Sequence, residues 1–149
     1  MGFIQFYEAV LYPPFHYLRR FYRMSSPTEC RFSDSHEWFL LAGDTVTIGI
    51  SQFAANELTD ITYVEMQPIG TSISSGESAG EVESVKTTSD IISMYAGEII
   101  EVNEAVTNDP SLLNSDPFGS GWLIKVRVED FSGGDALMDQ VAYDERYPV

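Results

Sequence analysis

Cysteine, histidine and lysine are almost absent from this chain of 149 residues. The only cysteine is Cys30, so no intrachain disulfide can form and nothing calls for an oxidising compartment. Two histidines, His16 and His36, with that one thiol are too few for a metal site of the usual nitrogen and sulfur type. Long apolar runs are missing too. The aromatic-rich first thirty residues are interrupted by Gln5, Glu8, Pro13 and Pro14, well short of the ~20 residues that cross a bilayer. Positive charge is scarce: eight Lys and Arg stand against 23 acids, a formal net charge of −15. Such a chain repels phosphate backbones and anionic lipid, which argues against nucleic acid and membrane surfaces and points to cationic faces of other proteins as partners.

What charge there is divides unevenly. Residues 31–149 carry 21 acids and five Lys or Arg, whereas residues 1–30 carry three Arg and two Glu. This sets an N-terminal extension, residues 1–30, apart from a main domain, residues 31–149. Arg19, Arg20 and Arg23 follow the apolar stretch, the wrong order for a secretory signal. Two readings of the extension stand. It is either an organelle transit segment, which implies a mitochondrial location, or an untranslated stretch upstream of a natural start at Met24, which implies a cytoplasmic one. The second is favoured, because serines are few and aromatics many for a transit peptide.

With 44% hydrophobic residues the chain can build one core, and from Arg31 onward the pattern is mainly β. Val46, Ile48 and Ile50 alternate with Thr45, Thr47 and Gly49, the period of a half-buried strand. Further short strands are expected at 61–66, 80–85, 91–95, 97–102 and 122–128, with Gly70, Gly76, Gly80 and Gly97 at turns between them. GEVESV at 80–85 echoes GEIIEV at 97–102, which suits a small barrel of two related halves. Helices are expected to be short and peripheral. Ser51 would cap one running to Leu58, and Asp109 with Pro110 would open another. A C-terminal helix would run from about Asp135, with Leu137, Met138, Val141 and Ala142 as its packed stripe. Gly119, Ser120 and Gly121 make no phosphate loop, since no GK[ST] element follows.

One feature points to chemistry. Lys86, one of two lysines, lies in ESVKTTSD (83–90) between β-patterned segments, where a turn would display its amine. A group carrier needs a long flexible arm on a rigid anchor, and a hairpin lysine supplies one. Lys125 is the internal control: in WLIKVRV it is expected within a strand, on the face opposite Trp122, Ile124 and Val126. The bland reading is a solvated lysine on an acidic interaction module.

From Arg31 to Tyr147 the chain resembles the glycine cleavage system H protein family. The pieces fall in that family's order: SHEW at 35–38, TIGIS at 47–51, DITYVE at 60–65, ESVKTTSD at 83–90, GEIIEVNEA at 97–105 and LLNSDPFGSGWLIKV at 112–126. The resemblance implies a barrel-sandwich hybrid of the lipoyl and biotinyl carrier type, with lipoate amide-linked to Lys86. Biotin carriers place methionine on both sides of the lysine, whereas here Val85 and Thr87 flank it. It further implies a cofactor-bearing carrier rather than an enzyme, one that passes the aminomethyl group of glycine from a decarboxylase (P protein) to an aminomethyltransferase (T protein). A dihydrolipoyl dehydrogenase (L protein) would reoxidise the arm, and a lipoate ligase or lipoyl/octanoyl transferase would load it, reading Glu83, Ser84 and Val85. By motif position Glu37 and Asp90 become cleft carboxylates for the bound amine. Glu57 stands where relatives often have histidine, Thr59 where they have glycine, and Met94 and Tyr95 where proline is frequent. The rival within the family is a relay of lipoyl or octanoyl groups to other complexes. Family resemblance and like charge favour a monomer.

Overall fold

The structure, a computed structural model, describes residues 26–149. The expectations for the extension, including the Met24 start, concern residues almost wholly outside that range. Strands in chain order are β1 (Arg31–Phe32), β2 (Glu37–Ala42), β3 (Thr45–Ile50), β4 (Ile61–Met66), β5 (Ser72–Ile73), β6 (Glu77–Ser84), β7 (Thr88–Ser93), β8 (Gly97–Val102) and β9 (Ile124–Arg127). They form two sheets, one ordered β1-β2-β3-β9-β8-β5 and the other β4-β6-β7. All pairings are antiparallel. The two echoing segments fall in different sheets, β6 in the smaller and β8 in the larger.

Alternation dictates which faces meet. Val46 and Ile48 of β3 are fully buried while Thr45 and Thr47 are half-exposed. Phe39, Val82, Ile91, Ile99, Ile124 and Val126 come from both sheets to the same core. Burying each such side chain contributes on the order of 1.5–3 kcal/mol. A second cluster of Cys30, Phe32, Trp38 and Tyr143 lies at one end, where Phe32 and Tyr143 stack with centroids 4.4 Å apart. Burial there pushes the Cys30 thiol up to about 12, so it is inert at neutral pH. Ser26 joins this end to the C-terminus through a 2.7 Å bond from its hydroxyl to Asp144.

Four short α-helices surround the sheets among the described residues: α1 (Gln52–Leu58), α2 (Glu104–Asn108), α3 (Leu112–Ser115) and α4 (Gln140–Arg146). Ser51 caps α1, its hydroxyl accepting from Ala54 N–H at 3.1 Å. The mainly β class with peripheral helices and a C-terminal helix is the one the sequence implies.

Several details differ from the sequence reading. The last helix begins at Gln140, capped by Asp139, because Met138 pairs with Phe32 as an isolated β-bridge and cannot be helical. Its packed residue is Tyr143, whereas Val141 and Ala142 face solvent. Asp109 ends α2; its carboxylate accepts from Ser111 N–H at 3.3 Å in the turn before α3, a helix that starts at Leu112. Gly70 and Gly76 occupy turns at positive φ, but Gly80 lies inside β6 and Gly97 is the first residue of β8. Gly80 marks a bulge, and at Gly97 a Cβ would collide with the Arg127 carbonyl of β9. Lys125 does not point away from Trp122: its ammonium lies 5.0 Å from that ring's centroid and 3.8 Å from the Glu101 carboxylate.

Candidate functional site

The turn between β6 and β7 consists of Val85, Lys86 and Thr87. One hydroxyl organises it. Ser84 Oγ accepts from the backbone N–H of Lys86 and of Thr87, each at 3.1 Å, and donates to the Thr87 carbonyl at 3.2 Å. Ser84 is therefore buried as the turn's internal fastener, while Glu83, Val85 and Lys86 are exposed around it. The Lys86 ammonium reaches across to the last turn of α1, donating to the Glu57 carbonyl at 2.9 Å. Helix C-terminal carbonyls carry partial negative charge and attract a cation there.

Beneath that contact opens a cleft of about 140 Å³ lined by Ser35, His36, Glu37, Glu57, Ser89 and Asp90, with Ile50, Ala54, Leu58 and Ile91 as its apolar part. The three carboxylates singled out from the sequence thus share one cleft, although 53 positions separate Glu37 from Asp90. Their settings differ. Glu57 and Asp90 are exposed at the rim, whereas Glu37 is only 1% exposed. Its Oε1 accepts from Ser33 and Ser35 hydroxyls, each at 2.6 Å, and its Oε2 accepts from Ile92 N–H at 2.9 Å. Ile92 belongs to β7 and Glu37 to β2, so the carboxylate joins the two sheets as well as flooring the cleft. Burial raises its pKa above the ordinary value, opposed by the Ile92, Ser33 and Ser35 donors that favour the ionised form.

Residues that motif reasoning passed over complete the walls. His36, at φ 78°, turns the chain into β2, and its Nδ1 lies 2.9 Å from the Tyr143 hydroxyl. That hydroxyl is 2.6 Å from Ser51 Oγ. Ser51 Oγ also accepts from Ala54 N–H, so the helix cap, the tyrosine and the histidine form one hydrogen-bonded chain. Burial lowers the His36 pKa, in keeping with a neutral ring, and pushes the Tyr143 hydroxyl up to about 12. The alternation of Ser33, Ser35 and Glu37 is the one local signal that could have marked the two serines as partners of the acid.

Thr59, which ends α1, adopts φ 61° and ψ −137°. A β-branched residue in that region stores strain, typically ~1–3 kcal/mol. Thr59→Gly is expected to gain about 1 kcal/mol net of the added unfolded-state entropy and to raise Tm by about 2–4 °C. Thermal unfolding checks this, and an unchanged or lower Tm would show that Thr59 is not strained.

The sequence profile described as "Glycine cleavage H-protein" matches residues 30–147. The "Glycine cleavage system H protein" of Streptomyces coelicolor is 52% identical over 108 residues, covering 72% of this chain and 86% of that relative. The protein of the same name from Thermus thermophilus is 43% identical over 122 residues, covering 82% and 95% respectively. A crystal structure of a glycine cleavage system H protein from Mycobacterium marinum superposes with a TM-score of 0.72 at 35% identity, covering 81% of this chain and 98% of that one.

Proposed function

The chain belongs to the glycine cleavage H-protein family, and we propose that residues 31–149 form a lipoylated carrier that takes the aminomethyl group of glycine from a decarboxylase to an aminomethyltransferase. The observation that carries this reading is the exposed Lys86 amine, held on a fastened turn and bonded to the carbonyl of Glu57, a residue that lines an acid-walled cleft. The residues suit a covalent lipoyl arm. The amine is a solvent-accessible primary nucleophile, the turn's own hydrogen-bonding needs are met by Ser84, and a pocket with both apolar and anionic walls lies within reach. When bound, the lipoyl group would supply a reducible dithiolane able to hold a one-carbon amine.

This chain's own residues then bind, orient and exclude. Val85, 69% exposed, and Glu83 offer a modifying ligase an apolar and an anionic contact beside the amine. Ile50, Ala54, Leu58 and Ile91 keep water from one side of the cleft, and Glu57 and Asp90 place negative charge at its rim, where a protonated amine gains a charge-assisted hydrogen bond. Glu37 can accept one more donor on a carboxylate that Ser33, Ser35 and Ile92 already hold in place. On this reading the protein acts as a carrier and the chemistry belongs to its partners. Those partners are the glycine decarboxylase, the aminomethyltransferase, the dihydrolipoyl dehydrogenase and a lipoate ligase or lipoyl/octanoyl transferase. Glu65, Glu81 and Asp90 stand side by side across β4, β6 and β7, an anionic strip that favours cationic docking faces. Among the described residues no helix is long and apolar enough to span a membrane. We place the carrier in the cytoplasm as a monomer, with the mitochondrion as its location should residues 1–24 prove to be a transit segment.

Mass spectrometry of the peptide spanning residues 80–97 from native protein tests the attachment: an increment of about 188 Da on Lys86 is expected for the lipoylated group carrier. A persistently free amine would instead indicate an unmodified acidic module. Reconstitution with competent partner enzymes tests the cargo. A lipoylated chain that donates its acyl group yet supports no glycine decarboxylation would be a relay.

A further inference from the structure

The lysine turn is seated on residues 57–62, and that segment is itself held from behind. Asn114 of α3 donates its side-chain amide to the Thr59 carbonyl at 2.6 Å and to the Ala55 carbonyl at 3.5 Å, while its Oδ1 accepts from Ile61 N–H at 3.1 Å. Asp60 lies between the two anchored positions, and its carbonyl accepts from Val85 N–H at 3.0 Å. On either side, Thr62 donates its hydroxyl to the Glu83 carbonyl at 3.3 Å and Lys86 donates to the Glu57 carbonyl at 2.9 Å. Two residues of the turn, Val85 and Lys86, and Glu83 just before it therefore rest on one short bracket, and a single side chain, from a helix more than fifty positions away, grips that bracket at Thr59 and Ile61, on either side of Asp60.

The grip has a physical reason. Only Thr59 and Asp60 separate α1 from β4, whose first residue, Ile61, pairs with Ser84 of β6; Thr59 N–H donates to the Ala55 carbonyl at 3.2 Å, and Thr59 stands at φ 61°, a conformation that persists only where its surroundings over-determine it. An asparagine offers two donors and an acceptor from one planar group, so it can satisfy the Thr59 carbonyl and the Ile61 N–H together.

We propose that Asn114 is a positioning residue for the carrier arm: by fixing residues 59–61 it sets where the Asp60 carbonyl holds the β6–β7 turn, and so aims Lys86 at the mouth of the cleft. The proposal rests on the carrier reading for its consequence but not for its geometry, and the two separate experimentally. In the full, unmodified chain, Asn114→Ala is expected to speed amide hydrogen exchange at Val85 about tenfold, with the exchange of Ile48 and Ile99 unchanged. Asn114→Asp retains the acceptor for Ile61 N–H but sets a carboxylate oxygen against the Thr59 carbonyl where a donor stood, so faster Val85 exchange is expected there too; it carries the same measurement if the alanine variant does not fold. In the lipoylated and aminomethyl-loaded chain, either variant is expected to lose its cargo to water several-fold faster than wild type, because the arm docks less often. Val85 exchange unaltered by the substitutions would overturn the bracket. Faster Val85 exchange with undiminished retention of the cargo would overturn the positioning role while leaving the carrier reading intact. A wild-type chain that cannot be lipoylated at Lys86 would instead overturn the carrier reading, and with it the arm that Asn114 is said to aim.

Discussion

Replacing Lys86 with arginine is expected to abolish both lipoyl attachment and any support of glycine decarboxylation, leaving activity at the level of a reconstituted system without carrier. Arginine keeps the positive charge and can still donate to the Glu57 carbonyl, so the turn and the cleft mouth are preserved. Its guanidinium stays protonated at any accessible pH and is not an acyl acceptor, so no amide can form. The measurement is intact mass after incubation with a lipoate ligase, together with glycine decarboxylation by the assembled system. The control is Lys125→Arg. Lys125 lies within β9, half-buried over Trp122 and paired with Glu101, and its replacement is expected to leave both readouts unchanged. Decarboxylation that survives in Lys86→Arg would contradict the mechanism outright.

Glu37→Ala carries the largest expected cost in stability. Truncation removes the acceptor of a β7 backbone N–H and of two serine hydroxyls, one of them on buried Ser33, and leaves a gap between the sheets. An orphaned buried donor costs ~1–3 kcal/mol, so about 2–4 kcal/mol is expected in total, or a fall in Tm of about 10 °C. A fall within 2 °C would mean that the carboxylate is not the tie between the sheets.

The same residue sets a pH dependence of known sign. Burial holds the folded carboxyl above its ordinary value of 4.5, so the folded state binds more protons than the unfolded state in the window between the two. The stabilisation from the bound proton is complete below 4.5 and is lost as pH rises through the folded value. Glutamine cannot ionise, so the Tm of wild type relative to Glu37→Gln is expected to decline as pH is raised from about 4 to 7. A relative Tm that is flat or climbs over that range would show that the donors from Ile92, Ser33 and Ser35 outweigh burial.

Both acid and lysine were visible in the sequence, but not equally. Lys86 lies at a turn because ESVKTTSD breaks two runs of strand alternation, and a turn displays whatever side chain stands at its tip. Ser84 is small and polar in the same run, yet its place inside the turn depends on the exit of β6, which buries it. Glu37 was legible as a carboxylate beside His36, whereas its engagement by Ile92 depends on how the two sheets close over each other. The helical stripe at Leu137, Met138, Val141 and Ala142 has the right period and the wrong outcome. A bridge to Phe32 draws Met138 out of helical geometry, and tertiary pairing outweighs the weak propensity of so short a segment.

By itself the sequence determined the β class, the strand faces, the Ser51 cap and the lysine at a turn, because alternation, capping and turn chemistry act between residues a few positions apart. The tertiary structure alone decided that Glu37, Glu57 and Asp90 share a cleft, that Tyr143 buttresses His36 from 107 positions away, and that Asn114 grips Thr59 from 55. Those contacts exist only once the two sheets have packed, and no local preference in the chain encodes which distant donor will meet which acceptor.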